Sequence, residues 1–440
     1  MKKIVLFCAV MLLTVGLTNL PVRAEVQNVK IGGDVTIHGI YRSDYDFRKD
    51  SKVNSSAVED DQSLFMSTVR VRLDADLVDN VAATISFINE RDWDKDSSSD
   101  VDKTASDDID LNLAYITLKE FNYSPLTLTL GRQELMYGNL LIVGDGDVNA
   151  ANLAGITVKS LSKRRAFDAV KGVFDLSPLT LDVFTAKIDE DTDSTSSDAN
   201  LYGINARYQF AAYDTIGEAY YFCKRRASNV KRVDTVGVRG STVPVDNLEL
   251  NLEVAHQFGE FSAGRDMSAN ALQLGIDYDM LDYEYSPSMG LWYTYLSGQK
   301  AGKTTGKRNE WDAMYGDQTP GRIGSIIGFA SSNVHIVNAK TSFKPTQKLG
   351  AYLDYFHFTA VKAYAAGNKN FTGSDLTTRT YAIEDDSTRI GSEIDLKFTY
   401  DYSEDIQFSL LGAYFIPGVV FADTNNDTTK EILASMSLVF

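Results

Sequence analysis

The sequence predicts an all-β fold: a transmembrane antiparallel β-barrel of about eighteen strands, with short periplasmic turns and long extracellular loops. Three observations carry that expectation. Apolar and polar residues alternate with a period of two, the connections sort into short and long, and the amino terminus reads as a secretory leader.

Alternation comes first because it fixes the type of element. In 201–210, Tyr202, Ile204, Ala206, Tyr208 and Phe210 share one face, with Gly203, Asn205, Arg207 and Gln209 on the other. In 248–258, Leu248, Leu250, Leu252, Val254 and Phe258 alternate with Glu249, Asn251, Glu253 and Gln257. Ile394, Leu396, Phe398 and Tyr400 oppose Glu393, Asp395, Lys397 and Thr399 in the same way. This pattern marks strands with one apolar and one polar face. Eighteen such segments are expected, near 30–42, 64–77, 81–90, 108–119, 126–134, 166–174, 178–187, 199–210, 214–224, 231–240, 247–258, 268–279, 287–297, 331–343, 347–359, 388–401, 405–416 and 428–440. Sixteen is the alternative count.

Soluble sandwiches also alternate, so the connections decide. Short linkers such as 78–80, 175–177, 211–213, 344–346 and 402–404 take turns with long ones such as 43–63, 91–107, 135–165, 188–200, 298–330 and 360–388. Outer-membrane barrels have short periplasmic turns and longer extracellular loops. Closure has a physical cause: in hydrocarbon every backbone N–H and C=O must be paired, so a spanning sheet can have no edge. Sixteen to eighteen strands leave an aqueous lumen unless loops fold into it. Segments 298–330 and 135–165, which mix glycines with apolar and aromatic residues, are the expected infolding loops.

At the amino terminus, Lys2 and Lys3 precede an apolar run over 4–17, and Val22-Arg23-Ala24 offers small residues for cleavage after Ala24. That is the layout of a secretory signal peptide, too short to be a comfortable spanning helix. Residues 1–24 are therefore expected to be leader, and 25–440 one barrel domain. The formal net charge of −17 becomes about −20 once Lys2, Lys3 and Arg23 are lost. One cysteine then remains, Cys223, so no internal disulfide can form; its apolar setting points to burial rather than reactivity. A mean hydropathy of −0.19 with no second long apolar segment excludes a helical membrane bundle but not a barrel, whose strands are only half apolar. The 23 Tyr and 22 Phe suit interfacial girdles. The chain ends on Phe440 after an alternating strand, the form of a signal read by the barrel-assembly machinery.

Several segments resemble the alginate-export family of outer-membrane porins. They are Leu130-Gly131-Arg132-Gln133-Glu134-Leu135, Ala166 to Lys171, Leu181 to Phe184, Ser297-Gly298 with 309–321, and Gly391 to Leu396 through Phe415-Ile416-Pro417-Gly418. The resemblance implies eighteen strands, a monomer in the outer membrane, and a channel for polar or anionic solutes, saccharides or alginate-like uronic-acid polymers among them. The chain departs from an arginine-rich lumen. By parity Arg70, Arg72, Arg207, Arg239 and Lys397 face inward, but so do Asp74, Asp76, Asp182, Glu253, Asp277, Glu393 and Asp395. A polyanion track needs a dominant positive field.

Among candidate lining or solute-binding residues, Arg132 can grip a carboxylate bidentately. By parity it shares the face of Leu128 and Leu130, so either Gly131 marks a bulge that resets the alternation or Arg132 lies at the rim. The bland reading is an arginine–acid rung bracing the wall. Arg70, Arg72, Asp74 and Asp76 read as a charged ladder on one face. Asp92-Trp93-Asp94-Lys95-Asp96 starts like a calcium loop but lacks its glycine and its twelfth-position acid. His38, His256, His335 and His357 show no metal spacing, and no nucleophile motif appears. No cofactor, no enzymatic activity and no nucleic-acid partner are expected; lipid, the assembly machinery and a small solute are. A second reading is a surface barrel whose acidic loops bind an extracellular partner or divalent cations.

Overall fold

A computed structural model describes residues 28–48, 61–93, 109–123, 125–147, 156–189, 198–227, 231–262, 264–384 and 387–440. The expected leader lies outside the described residues, as do the acidic stretch 94–108 and residues 190–197.

The strands follow one another around the sheet: β1 (Asn28–Ser43), β2 (Gln62–Val78), β3 (Val81–Asp92), β4 (Asp110–Leu118), β5 (Leu126–Glu134), β6 (Ala166–Leu176), β7 (Leu179–Asp189), β8 (Ala199–Gln209), β9 (Ile216–Arg226), β10 (Lys231–Val245), β11 (Leu248–Ser262), β12 (Arg265–Asp279), β13 (Ser288–Leu296), β14 (Val334–Phe343) and β15 (Leu349–Ala360). A separate hairpin, β16 (Gly367–Thr372) and β17 (Thr378–Ile383), stands in the next loop. Then β18 (Arg389–Asp401), β19 (Ile406–Pro417) and β20 (Thr429–Val439) return to the start. Each barrel strand pairs antiparallel with its neighbour in sequence, β15 joins β18, and β1 pairs with both β2 and β20. The result is an eighteen-stranded closed barrel with no edge strand, as the alternation and loop pattern predict.

The two faces separate along each strand. On β11, Asn251, Glu253, Ala255 and Gln257 are buried inside, while Leu250, Leu252, Val254 and Phe258 are exposed on the outside. On β8 the outward set is Tyr202, Ile204, Ala206 and Tyr208. Four outward positions at roughly 6.7 Å spacing span about 20 Å along the strand and form part of the apolar band that faces lipid. The extracellular connections are long as expected, with two exceptions. Four positions in sequence separate β9 from β10 and two separate β11 from β12, and β10, β11 and β12 each reach 15 residues.

The extracellular half of the lumen is filled by loops. Residues 135–147 and 156–165 of one loop and 298–330 of another fold inward, and they hold each other. Tyr315 N–H donates to Ile142 O at 3.0 Å and Gly144 N–H to Tyr315 O at 2.8 Å. Gly316 lies against the Leu140 and Leu141 carbonyls, where a Cβ would sit 2.7 Å from Leu141 O, so no larger residue fits. Three further segments infold that the sequence did not single out: 44–48, 361–384 and 418–428. They meet in an aromatic core of Phe47, Phe329, Phe371, Tyr381, Phe415 and Phe421, with Phe329 and Phe371 stacked at 3.9 Å between centroids. A second stack, Tyr137 on Phe184 at 5.2 Å with Tyr220 and Phe222 beside it, seats the first loop on β7 and β9.

Candidate functional site

Two kinds of charged residue face the lumen, and position along the strand sorts them. Near the loops, inward acids are anchors. Glu393, fully buried, accepts hydrogen bonds from the Ile323 and Gly324 N–H groups at 2.6 and 2.7 Å, and Asp395 accepts from Arg322 N–H at 2.9 Å. These amides open a short helix, α1 (Arg322–Ile326), whose first-turn N–H groups have no intrahelical partner. Arg322 in turn donates to Glu431, which also accepts from the Tyr45 hydroxyl at 2.6 Å. Glu253 does the same for the other loop, accepting from Asn139 N–H at 2.8 Å and Tyr220 OH at 2.7 Å. Arg239 donates to the Asn139 side chain at 2.5 Å and to Glu218 at 2.9 Å. Of the expected lining residues, Glu253, Glu393, Asp395 and Arg239 thus face inward but hold loops.

Closer to the periplasm, inward charges face open space. Arg70 donates to Asp34 at 2.6 Å, and Lys163, delivered from loop 135–165, reaches the other Asp34 oxygen at 2.5 Å and Thr36 Oγ1 at 2.7 Å. Arg72 grips Asp74 with two bonds of 2.8 and 2.9 Å. With Lys30, Asn112 and Glu134 these residues line a cavity of about 710 Å³. Across the lumen a second cavity of about 590 Å³ is lined by Trp292, Gln273, Asn338, Lys340, Asp354 and Phe356, among others. There Lys340 pairs with Asp277 at 2.8 Å and lies 5.3 Å from the Trp292 ring centroid, and Trp292 Nε1 donates to Asp277 at 2.8 Å. Lys397 is exposed, 6.0 Å from the Tyr352 ring, and Arg207 is exposed near the periplasmic mouth, in register with Glu218. Lys163, Trp292 and Lys340 were missed by sequence reasoning.

Arg132 is a correction. The β4–β5 register runs unbroken through Gly131, pairing Leu130 with Ile116 and Arg132 with Ala114, so the alternation is not reset. Its cross-strand neighbour on β6 is Asp168, which is exposed between buried Phe167 and Ala169. Arg132 therefore takes the outward alternation at the extracellular rim, bonded to Leu111 O, Asp147 (2.8 Å) and Asp168 (3.5 Å). It does not line the channel.

In the loop layer Arg165 bridges Asp317 at 2.7 Å and Asp145 at 3.6 Å. Burial pushes the Asp145 carboxyl up to about 6, against the pull of Arg165. The histidines form cross-strand rungs: His38 with Ser435 at 2.7 Å and His357 with Ser392 at 2.9 Å, both through Nδ1. Among the described residues no carboxylate or amide is hydrogen-bonded to the other ring nitrogen of either, so neither pair has the orienting partner of a catalytic triad. No group of three His, Cys, Asp or Glu among the described residues could hold a metal ion.

Residues 30–435 match the sequence model of the alginate export family. The chain belongs to that family. Solved barrels from Pseudomonas aeruginosa share the fold. OpdQ aligns with TM-score 0.57 at 10% identity, covering 95% of this chain and 99% of its own. OccK11 (OpdR) gives 0.55 at 11% over 93% and 96%, and OpdK, solved with vanillate, 0.52 at 13% over 93% and 99%. No curated protein sequence matches significantly. An alginate-export family member with this barrel is an integral outer-membrane channel for small solutes, surrounded by lipid.

Proposed function

We propose that this alginate-export family channel passes small, hydroxylated monoanions by diffusion, with uronic-acid monomers or short oligomers as the fitting class. The observation that carries the reading is the sharing of one carboxylate by two cations: Arg70 and Lys163 both bond Asp34. One acid neutralises one base, so this wall keeps an uncompensated positive charge at the inner end of the loops, where a solute carboxylate is attracted. Arg72 contributes less, because Asp74 holds it bidentately. The opposite wall supplies an indole face and amide groups, Trp292, Asn338 and Gln273, suited to the apolar face and hydroxyls of a sugar. A long polyanion suits the lumen less, since its cations form no continuous unpaired track: Lys340, for one, is held by Asp277.

The same reading takes residues 1–24 as a leader, the chain as a non-enzymatic monomer, and Phe440 as the contact for the assembly machinery. Liposome swelling tests it. Glucuronate should enter faster than glucose, which has nearly the same size, and Lys163→Gln with Arg70→Gln should remove the difference. Faster entry of glucose through the unmodified channel would contradict the proposal.

A further inference from the structure

The loops that fill the extracellular half of the lumen leave cavities between them, and three of these stand in series. The first, of about 150 Å³, lies at the level of the extracellular strand ends. Leu296, the last residue of β13, and exposed Ser331 border it, with Trp311 and the turn of the β16–β17 hairpin. The second, of about 130 Å³, lies between residues 159–165 of one loop and 316–319 of the other. The third is the cavity of about 590 Å³ beside Trp292, which reaches Lys340 near the periplasmic end of β14. Each is large enough for several waters at roughly 30 Å³ apiece.

One strip of chain, residues 316–319, walls all three. Gly316, Gln318 and Ser374 line both the first cavity and the second. Asp317, Gln318 and Thr319 line both the second and the third. Among the described residues, Gln318 alone borders every one of the three. A solute moving down this series passes its side chain.

The Gln318 amide is held in a ring of neutral groups. Its Nε2 donates to Asn139 O at 2.8 Å, and its Oε1 accepts from Gln273 Nε2 at 2.9 Å. Asn139 Nδ2 donates in turn to Gln273 Oε1 at 3.0 Å. The other two members are fixed to the wall. Gln273 sits on β12 and also donates to Thr294 Oγ1 at 3.2 Å, while Asn139 is clamped by Glu253 and Arg239. Gln318 is carried on a loop, and neutral hydrogen bonds of this kind exchange with water at little net cost. Its side chain can swing aside while the loop stays seated through the backbone bonds of Tyr315 to Ile142 and Gly144.

We infer that Gln318 is the size-selecting latch of this channel: its amide, hooked to Asn139 and Gln273, narrows the passage from the loop layer into the open lumen. A hydroxylated solute can take over both bonds, donating to Asn139 O and accepting from Gln273 Nε2. An apolar solute of equal size leaves them unpaired. The latch is uncharged, so it sorts by size and hydrogen bonding. This role rests on the diffusion-channel reading above and is independent of the cations around Asp34.

Neutral sugars and planar bilayers test the latch with solute charge kept out of the comparison. In liposome swelling, Gln318→Ala should raise the entry rate of sucrose relative to glucose about threefold, because the passage widens. A loosened loop also speeds sucrose, so a second variant reads position. In a Cys223→Ser background, Gln318→Cys labelled with neutral benzyl methanethiosulfonate should lose about half its single-channel conductance or more, since the added ring stands in the passage. Thr304→Cys, exposed in the same loop and lining none of the three cavities, should lose none. Heat-modifiable gel migration checks that each variant is a folded barrel. An unmodified protein that admits neither sugar would sink the channel reading itself. Gln318 alone loses its role if the sucrose-to-glucose ratio does not move, or if labelling at 318 lowers conductance no more than labelling at 304.

Discussion

The extracellular and periplasmic halves of this lumen are lined by the same strands and obey the same alternation, yet their charges do different work. Above, Glu393, Asp395 and Glu253 are sealed beneath loops and accept hydrogen bonds from loop backbone. Below, Arg70, Arg72 and Lys163 border a cavity of about 710 Å³. What separates the two sets is whether loop backbone covers them. An inward charge covered by backbone amides is structural; one left facing water sets the field a solute meets.

The contrast can be broken most forcefully at Glu393. Glu393→Ala leaves the Ile323 and Gly324 amides unpaired in a buried site, and losing charged hydrogen bonds of this kind costs roughly 3 to 5 kcal/mol. The loop around α1 should loosen, which a lower unfolding temperature by heat-modifiable migration and noisier single-channel current would report. An unchanged melting point and quiet channel would mean that the loop is held by its aromatic core alone.

A pH effect belongs to the loop layer and is smaller. Asp145 has a folded-state carboxyl raised to about 6, so the folded protein binds more protons than the unfolded chain between about 4 and 6. Its contribution to stability is therefore fully present below the unfolded value and is lost as pH rises through about 6. Loop 135–147 should resist proteolysis better at pH 5 than at pH 7, and Asp145→Asn should abolish that difference. Greater protection at the higher pH would reverse the sign and refute the point.

Arg132 is the weakest lever. Placed on the outward alternation at the rim, Arg132→Ala should leave ion selectivity unchanged, which bilayer recordings can check. A shift toward cations would put its guanidinium back in the conduction path.

How much of this was legible in the sequence follows the same division. The strands were readable because lipid outside and water inside impose opposite preferences on neighbouring residues, and all eighteen segments recur as barrel strands. The plugged half was only partly readable. Its loops are packed by inward residues such as Leu201, Phe222 and Phe167, which make the upper strand ends apolar on both faces. That loss of alternation was the available signal, and it also covers the side where 361–384 and 418–428 dock, through Phe358 and Phe415. Parity gave the direction of Arg70, Arg72, Glu253 and Glu393 but not their roles, because a partner such as Asn139 or Ile323 arrives from a distant loop. Lys163 was invisible for the same reason: a lysine in a loop has no parity. Arg132 failed differently, since an arginine outward at a rim reads like one inward past a bulge until the register across Gly131 is known.

The central claim is that the open half of the lumen carries net positive charge from two cations sharing Asp34. Reversal potential in a salt gradient, recorded for the unmodified channel and for Lys163→Gln with Arg70→Gln, tests it most directly. Preference for chloride over potassium, falling to parity or below in the double variant, is the expected result. Cation preference in the unmodified channel, untouched by the substitutions, would contradict it.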